Sequence, residues 1–582
     1  MIIVPQYVKD NNLLCLRLLT RKNPLTMKKL LLFLVLLSAP FFSYSQKELS
    51  ADYSYTVSEP YQVYDAPKKF YFSDSNQILS VKPWKKSVVL QKFDVTTLKQ
   101  ISATEYEDFP DNYQVEGMEQ LQDKYYLFYS SWTGKKTQHE QLFYREINFE
   151  TGTFEGEAVK LIDIDGRLAG TFASTAGVSA PFAFGFGVTD KFDFLKSLDE
   201  SKILVQYRRK PEEKNDKESY DIIGAEVFDK SLKKLWSNEY TMPYTERRMD
   251  VEDFAVDSDG NAYLMAKVFH DDSNKDKKRR KDEEANYHME LFRLSKDSPE
   301  IEKTKIELGD KFINGTSLFE SFEGYMICSG FYTNGLNNEM HNADGLYTFK
   351  ITKDGKLIDE KSYEIPLEVL NQYVKNRTKK RNERKDEDGK AEFEHMKLRN
   401  LVISDDGSLL LIGEQTFLIV HYTRRGSYVT YHNNDIIVSK IDASGNLAWM
   451  KKIPKRQSGK PKMGEVYDTS KVYQGGMSYS YFNANGNHYI VFLDNVKNID
   501  LELDQIPALH SDGHGGYLTS YKINDNTGEM SKGSILDTRN VAEDLEVYQF
   551  SNNRIVKTDE NQFVLEVYKK SKEDVLIKVD IK

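Results

Sequence analysis

The chain has 582 residues, a formal net charge of −10 at pH 7 and an aromatic content of 12%. It is longer than one compact core, and its acidic balance disfavours nucleic acid and anionic membrane surfaces as partners. The aromatic content is typical of a β-rich protein, because aromatic side chains pack well on pleated faces. Only two cysteines occur. Cys15 lies in a predicted leader, so the mature chain keeps Cys328 alone and cannot form an internal disulfide.

A secretory signal peptide is predicted over residues 27–45. Two lysines begin it, residues 30–37 are an apolar run too short to span a bilayer, and residues 43–45 offer small side chains for cleavage. Residues 1–26 are interpreted as an upstream extension. Cleavage leaves Gln46 first and removes six basic residues and one acidic residue, which takes the charge from −10 to −15. We therefore expect an exported protein, periplasmic or extracellular, with no transmembrane segment in its mature chain.

The mature chain repeats one unit, which consists of a short strand, a tight polar turn and a second apolar strand. Residues 254–267 are its clearest copy. Eight copies align on the turn, at Asn76, Lys124, Ser201, Gly260, Gly324, Gly407, Gly486 and Asn561. Six of these are Gly or Asn, the residues that best tolerate the positive φ that such a turn often requires.

A second hairpin follows each copy, so that each repeat holds four strands. Eight repeats of roughly 48 to 83 residues fit a β-propeller better than a solenoid, whose repeats are shorter and more regular. We predict an all-β fold: a single β-propeller domain over residues 46–582 with eight four-stranded blades, or seven as the alternative. The eighth repeat ends at Lys582 after its third strand. Residues 53–58 are therefore predicted to pair into the last blade and close the ring.

All the long insertions are predicted to lie on one rim of the propeller, in the connections from second to third strands and from blade to blade. They span residues 165–191, 210–220, 271–288, 333–344, 366–399, 417–434, 454–473 and 495–516. Long loops on a rigid scaffold usually carry binding function, so this elaborated face is the predicted functional face, with tolerated insertions as the alternative. The insertion at 366–399 is charged and partly helical, with a short amphipathic helix expected behind Pro366.

Aromatic, arginine and histidine side chains define a candidate binding surface on this face. Its members are Trp132, Phe184, Phe186, Tyr422, Arg424, Arg425, Tyr428, Tyr431 and His432. Exposed aromatic and arginine side chains are used by glycan-binding and protein-binding surfaces through stacking and burial. Packing of the insertions against one another is the alternative.

A candidate divalent-metal site is formed by His510, Asp512 and His514, because imidazole nitrogens and carboxylate oxygens suit zinc and similar ions. A polar turn is the alternative, and no other cofactor is expected. The sequence contains no Gly-x-Ser-x-Gly elbow, no phosphate-binding loop and no His-Glu-x-x-His motif. No catalytic residue is therefore assigned.

Residues 435–449, DIIVSKIDASGNLAW, resemble the repeats of secreted bacterial β-propeller proteins, in which a strand ending Lys-Ile-Asp leads through a Gly turn to Trp. The similarity covers most of the mature chain, is sharp in the sixth repeat and is partial in the fifth. It implies a propeller fold and export. Most such proteins have no assigned activity, so no functional residue is carried over. The Ser-x-Asp-x-Gly-x-x-Trp boxes of sialidase-type propellers are absent, which argues against a glycosidase.

Two functions of different classes follow from these features. The favoured one is an exported, non-catalytic recognition or scaffold protein that binds an envelope or extracellular protein or glycan on the elaborated face. The alternative is a metal-assisted hydrolase or lyase with its site at the central channel on the same face. No nucleic acid partner is expected in either case.

Overall fold

The computed structural model describes residues 49–582 except 65, 67, 85, 171–189, 212–217, 277–284, 297, 307–308, 310, 336–341, 425, 460–476, 504, 513–514, 544 and 570–572. The predicted signal peptide and the upstream extension lie outside the described residues.

Eight sheets follow one another along the described part of the chain, and in each sheet the strands lie side by side mainly in chain order. The N-terminal strands are β1 (Tyr53–Val57) and β2 (Tyr61–Gln62). Sheet 1 contains β3 (Phe70–Asp74), β4 (Gln77–Trp84), β5 (Ser87–Asp94) and β6 (Gln100–Tyr106). Sheet 2 contains β7 (Gln114–Leu121), β8 (Lys124–Trp132), β9 (His139–Asn148) and β10 (Thr153–Asp165). Sheet 3 contains β11 (Phe192–Lys196), β12 (Lys202–Arg208), β13 (Tyr220–Asp229) and β14 (Lys234–Thr245).

The remaining sheets repeat this order. Sheet 4 contains β15 (Met249–Val256), β16 (Ala262–Phe269), β17 (Tyr287–Ser295) and β18 (Ser298–Ile306). Sheet 5 contains β19 (Phe312–Glu320), β20 (Met326–Thr333), β21 (Gly345–Ile351) and β22 (Leu357–Glu364). Sheet 6 contains β23 (Met396–Ile403), β24 (Leu409–Thr423), β25 (Gly426–Ile441) and β26 (Leu447–Gly459). Sheet 7 contains β27 (Ser480–Ala484), β28 (Asn487–Asp494), β30 (Tyr517–Asn524) and β31 (Met530–Asp537), and the short β29 (His510–Ser511) between them in sequence joins sheet 6 instead. Sheet 8 contains β32 (Val547–Gln549), β33 (Ile555–Asp559), β34 (Gln562–Lys569) and β35 (Glu573–Ile581).

The turns of the repeat follow the predicted chemistry with three corrections, one of which is that Asn561 in the eighth copy does not have a positive φ. At Gly260, φ is +87°, and the Asp257 carboxylate accepts a hydrogen bond of 2.7 Å from the backbone N–H of Asn261. In the second and third copies the left-handed residues are Gln122 and Glu200, and the assignments to Lys124 and Ser201 were wrong. Lys124, for example, already pairs with Leu121 as the first residue of β8. An alignment on polar residues places the turn one or two positions from its true site, because several consecutive polar residues suit a turn equally well.

Apolar clusters lie between successive sheets and continue from the last sheet back to the first. The cluster that joins sheet 8 to sheet 1 contains Ile78, Phe93, Val95, Leu98, Val564 and Leu576. Cys328 is buried in the cluster between sheets 4 and 5. Four-stranded antiparallel sheets that pack face to face and return on themselves define a β-propeller, so the predicted all-β propeller class is confirmed.

The predicted pairing of the N-terminal run with the end of the chain is also confirmed. β1 pairs antiparallel with β35 from Tyr53↔Ile581 to Val57↔Ile577 and becomes the outermost strand of sheet 8. Just beyond β1, the backbone N–H of Ser58 donates to the Leu576 carbonyl at 2.9 Å. The two ends of the described chain therefore hold one sheet together, and this pairing covers the outer edge of β35.

Two helices lie between sheets 5 and 6, α1 (Leu367–Leu370) and α2 (Asn376–Asp386). The amphipathic helix expected behind Pro366 is only one turn long, because the chain takes a left-handed conformation at Tyr373. The longer helix is formed by the charged run that follows, since Lys, Arg and Glu are good helix formers. Asn382 ties α2 to α1 by donating to the side-chain oxygen of Asn371 at 2.8 Å. Neither α1 nor α2, nor any other helix of the described residues, is long and apolar enough to cross a membrane.

Candidate binding face

The two rims of the propeller differ in the length of their connections. Turns of two to five residues join first to second strands and third to fourth strands, and because antiparallel strands alternate in direction these turns share one rim, the short-turn rim. The longest connections, 166–191, 365–395 and 495–516, lie on the opposite rim, which we call the long-connection rim. The predicted one-sided elaboration is therefore present.

One predicted insertion on this rim is a strand extension instead of a loop. Residues 417–434 were expected to form a loop, but β24 and β25 stay paired from Thr416↔Asn433 to Thr423↔Gly426. β23 leaves β24 after Met396↔Gln415, and β26 leaves β25 after Tyr431↔Gly459. Residues 416–430 therefore form a two-stranded ribbon, the rim hairpin, which extends past the neighbouring strands of sheet 6.

Ring stacks run along one face of the rim hairpin. Phe417 stacks on His432 with ring centroids 4.8 Å apart, and His421 stacks on Tyr428 at 4.6 Å. The Thr430 hydroxyl lies between the two histidines, 2.8 Å from His421 Nε2 and 3.0 Å from His432 Nε2. Burial lowers the pKa of His432, and the neighbouring His421 lowers it further, so this imidazole is neutral at pH 7. The stacks give the hairpin a fixed shape of its own.

The tip of the rim hairpin exposes large apolar side chains. Tyr422 is 82% exposed and Tyr428 is 43% exposed, and Ile419 and Arg424 are also exposed. A two-stranded ribbon is only marginally stable by itself, so its rings and its anchorage in sheet 6 hold it in place. The structure thus places Tyr422, Arg424 and Tyr428 on this projection and Tyr431 and His432 at its base, and their role in binding stays a prediction.

The other candidate binding residues are separate from the hairpin or outside the described residues. Trp132 ends β8 on the same rim, and the Arg167 guanidinium lies over its ring at 4.7 Å. Phe184, Phe186 and Arg425 lie outside the described residues. The structure therefore describes the hairpin and the Trp132–Arg167 pair as two aromatic features of the long-connection rim.

Two of the three candidate metal residues, His510 and Asp512, lie on the long-connection rim beside sheet 6. His510 is buried in β29, which pairs in parallel with β26 at Gln457, and the Asp512 backbone N–H donates to the Ser458 carbonyl at 2.9 Å. His514 lies outside the described residues. Within the described ranges, no three His, Cys, Asp or Glu side chains converge as metal ligands. The metal site stays a prediction.

Charged residues that are buried or partly buried occupy β-bulges in three first strands, and the sequence analysis missed them. Glu116, Glu252 and Arg399 each lie where the register shifts, in β7, β15 and β23. A bulge adds one residue and re-aims its side chain, and here it directs a charge into the sheet near the long-connection rim. Glu252 and Arg399 lie eight positions before the left-handed residues Gly260 and Gly407, but Glu116 lies six before Gln122, so no fixed spacing in the sequence identifies all three.

The bulged charges are compensated by partners from other strands. The Glu116 carboxylate accepts from the Ser130 hydroxyl at 2.5 Å and from the Lys191 backbone N–H at 2.7 Å. Burial raises the pKa of Glu116 to about 7, against the lowering effect of these two hydrogen bonds. Arg399 Nε lies 3.3 Å from a carboxylate oxygen of Glu414. Each pair fixes the start of a first strand to its neighbours.

The largest buried ionic network lies between sheets 8 and 1. One Glu566 oxygen is 3.1 Å from Lys69 Nζ, and Lys82 Nζ bonds the other. The hydroxyls of Tyr61 and Tyr71 both donate to the same carboxylate at 2.6 Å. Burial alone would raise the pKa of Glu566, but the charges of Lys82 and Lys69 hold this pKa well below its ordinary value. The network links the N-terminal segment to the C-terminal strands.

Comparisons with known proteins give remote likenesses only. No protein-family profile matches the chain, and no curated protein matches it. Among solved structures it is similar to a prolyl endopeptidase (9% identity, 89% of this chain and 55% of that one, TM-score 0.36). It is also similar to the WD40 domain of SCAP from fission yeast (7% identity, 91% of this chain and 99% of that one, TM-score 0.34). A third similar structure is apo AztD from Citrobacter koseri (10% identity, 80% of this chain and 86% of that one, TM-score 0.32). The chain thus spans little more than half of the prolyl endopeptidase, and the function proposed below rests on none of the three.

Proposed function

We propose that the protein is an exported, non-catalytic recognition or scaffold propeller, whose eight sheets are eight blades, and that it binds a partner protein through its long-connection rim. The contact point is the rim hairpin, residues 416–430. Export rests on the predicted signal peptide at residues 27–45, which places the partner in the periplasm or outside the cell.

The observation that carries this proposal is the exposure of aromatic rings at the tip of an ordered projection. Tyr422 and Tyr428 contribute large rings with few rotatable bonds, and Arg424 adds a donor beside them. Tyr and Arg dominate the binding energy of many protein interfaces, because they bury much area at a low entropic cost. The ring stacks from Phe417 to His432 and from His421 to Tyr428 order the face of the hairpin that carries Tyr428 before any partner arrives, and Tyr422 lies on the opposite face.

A protein partner is favoured over a glycan by the shape of the hairpin. The ribbon is convex, whereas sites for small ligands such as single sugars are usually concave. In the described part of the chain, no strand pairs with β24 beyond Gln415, so an extended partner segment could add a strand there. Strand addition supplies backbone hydrogen bonds, and the rings on both sides of the ribbon supply side-chain contacts.

Site-specific photo-crosslinking tests the proposal. A photoreactive phenylalanine analogue at position 422 should crosslink one protein from envelope extract. The same analogue at Phe322 should not, since Phe322 is 56% exposed but lies in a turn of the short-turn rim. The crosslinked protein is then purified and its affinity measured by calorimetry. Products that are identical from both positions would overturn the assignment of the binding face.

Alanine variants then give the size of the effect. Tyr422→Ala should weaken binding about tenfold or more, equivalent to about 1.4 kcal/mol, as expected for an interface hot spot. Phe322→Ala is the matched control and should bind as the native protein does. A glycan array tests the alternative ligand class. If a specific glycan binds in a manner that depends on Tyr422 and no protein is crosslinked, the partner is a glycan and the proposal of a protein partner is wrong.

A further inference from the structure

Two histidines meet at the base of the insertion in sheet 4. His270 directly follows β16, and His288 is the second residue of β17. The pairs Val268↔His288 and Phe269↔Tyr287, with the His270 backbone N–H donating to the Asn286 carbonyl at 2.9 Å, make the two side chains diagonal neighbours on one face of the sheet. Their rings stack with centroids 5.3 Å apart, and His270 Nε2 lies 3.1 Å from His288 Nδ1.

Glu290 fixes which nitrogen of His288 carries the proton. His288 Nε2 lies 2.9 Å from a Glu290 oxygen, and the Tyr244 hydroxyl donates to the same oxygen at 3.0 Å. This Glu290 oxygen already accepts from the Tyr244 hydroxyl, and a carboxylate oxygen acts as an acceptor. His288 Nε2 therefore donates, and its Nδ1 presents a lone pair toward His270.

We propose that His270 Nε2 and His288 Nδ1 chelate one divalent transition-metal ion of the zinc class. Zinc lies 2.0 to 2.1 Å from imidazole nitrogens, so two such ligands in a tetrahedron are about 3.3 to 3.4 Å apart, and the observed pair needs to open only slightly. A metal-bound histidine usually donates its other N–H to a carboxylate, as His288 does to Glu290. To use Nε2, His270 moves its proton to Nδ1, and the ion takes the position of the present hydrogen bond.

The surroundings of the pair favour a cation. Asp271 follows His270, and its carboxylate accepts from the Ser273 N–H at 2.9 Å and from the Asn286 amide at 2.8 Å. Among the described residues, two cations near the pair are already engaged: Lys267 pairs with Asp276 at 3.3 Å, and the Arg248 guanidinium donates to the carbonyls of Phe269 and His270. His270 is exposed, so water can complete the coordination. With two protein ligands the site should bind more weakly than a four-ligand structural zinc site.

Calorimetric titration of the chelator-treated protein with zinc chloride at neutral pH tests this proposal. The native protein should bind zinc, and His270→Ala and His288→Ala should each lose one equivalent. His139→Ala is the matched control, because His139 also contacts a carboxylate, Asp163 at 2.7 Å, but meets no second imidazole in the described structure. Magnesium chloride should give no heat in any variant, since imidazole suits zinc, copper and nickel but not magnesium.

Further variants separate this site from alternatives. The Glu290→Gln variant should still bind one zinc ion at this site, but about 10- to 100-fold more weakly, because the carboxylate that orients His288 is gone. The His510→Ala variant tests the other predicted metal site. A zinc equivalent that is lost only in this variant is bound at that site. The metal-free melting temperature of each variant shows whether it folds. Full zinc stoichiometry and native affinity in folded His270→Ala and His288→Ala would overturn the proposal, and since the hairpin is not involved, that result would leave the proposed recognition function standing.

Discussion

Tyr53→Ala tests whether the N-terminal strand closes the propeller. Tyr53 is 4% exposed, and its ring packs in the apolar cluster between sheets 7 and 8. The ring lies so close to Gly533 that a Cβ added there would be 2.7 Å from it. Burial raises the pKa of the Tyr53 hydroxyl to about 12, in keeping with a ring removed from water. The substitution deletes this ring and leaves the backbone pairing of β1 with β35 unchanged.

The expected loss is about 3 kcal/mol in the free energy of unfolding. Truncating a buried aromatic side chain to alanine typically costs about 3 to 5 kcal/mol, and the lower end applies because β1 is an outermost strand that can relax. Urea unfolding followed by circular dichroism measures the change. Ile101→Ala is the matched control: Ile101 is in β6, the outermost strand of sheet 1, but it is 51% exposed, so its change should be within about 0.5 kcal/mol.

A Tyr53→Ala variant that unfolds at the native urea concentration would refute this reasoning. Such a result would mean that the ring contributes little and that β1 attaches loosely to sheet 8. Protease cleavage after residue 58 gives an independent check, since a closing strand should protect that bond until the whole protein unfolds.

The remaining predictions concern buried carboxylates. Glu566→Gln should lower the free energy of unfolding by about 3 kcal/mol, the lower end for a broken buried ion pair, because Lys69 and Lys82 lose the nearer of two buried counter-charges and keep Asp574; a urea midpoint unchanged from native would contradict this. For Glu116, the folded-state pKa of about 7 lies above the ordinary value, so the folded protein binds the proton more tightly; the contribution of this one group to stability is full below about pH 4 and is lost as the pH rises through 7. This loss of stability is ~2 to 4 kcal/mol at most, and the Glu116→Gln variant should not show it. Equal slopes of unfolding free energy against pH in the two proteins would argue against the raised pKa of Glu116.

The sequence predicted the repeat and its closure because both follow from local patterns. Strand, tight turn and strand recur in every copy, and a missing last strand needs a replacement from somewhere in the chain. The sequence analysis predicted a loop where the rim hairpin lies, because it assumed short strands in every repeat and assigned the residues after Gln415 to a connection. Its alternating apolar and β-branched residues on both sides of Gly426 are the signal of a hairpin, and applying the strand pattern there would have extended β24 and β25.

Other features were beyond single-sequence reasoning because they join distant residues. Glu116 reads as a break in an apolar strand, and only the fold supplies Ser130 and the Lys191 N–H as its partners. His270 and His288 are separated by a charged insertion that gives no sign of their pairing, and their meeting follows from the register of β16 with β17. A charge that interrupts an apolar run is uninformative until the strand next to it is known.

Under the proposed function, stability and recognition fall on different parts of this molecule. The bulged charges lie near the start of their first strands at the long-connection rim, where hydrogen bonds and an ion pair hold the base of that rim. The hairpin rises from this base with its rings exposed, and Tyr422 contacts little that folding needs. Substitution of Tyr422 should therefore change binding with almost no change in unfolding free energy, whereas substitution of Tyr53 or Glu566 should change unfolding while the ring stacks of the hairpin persist. This separation is what a scaffold needs if its binding surface is to vary while its sheets stay the same.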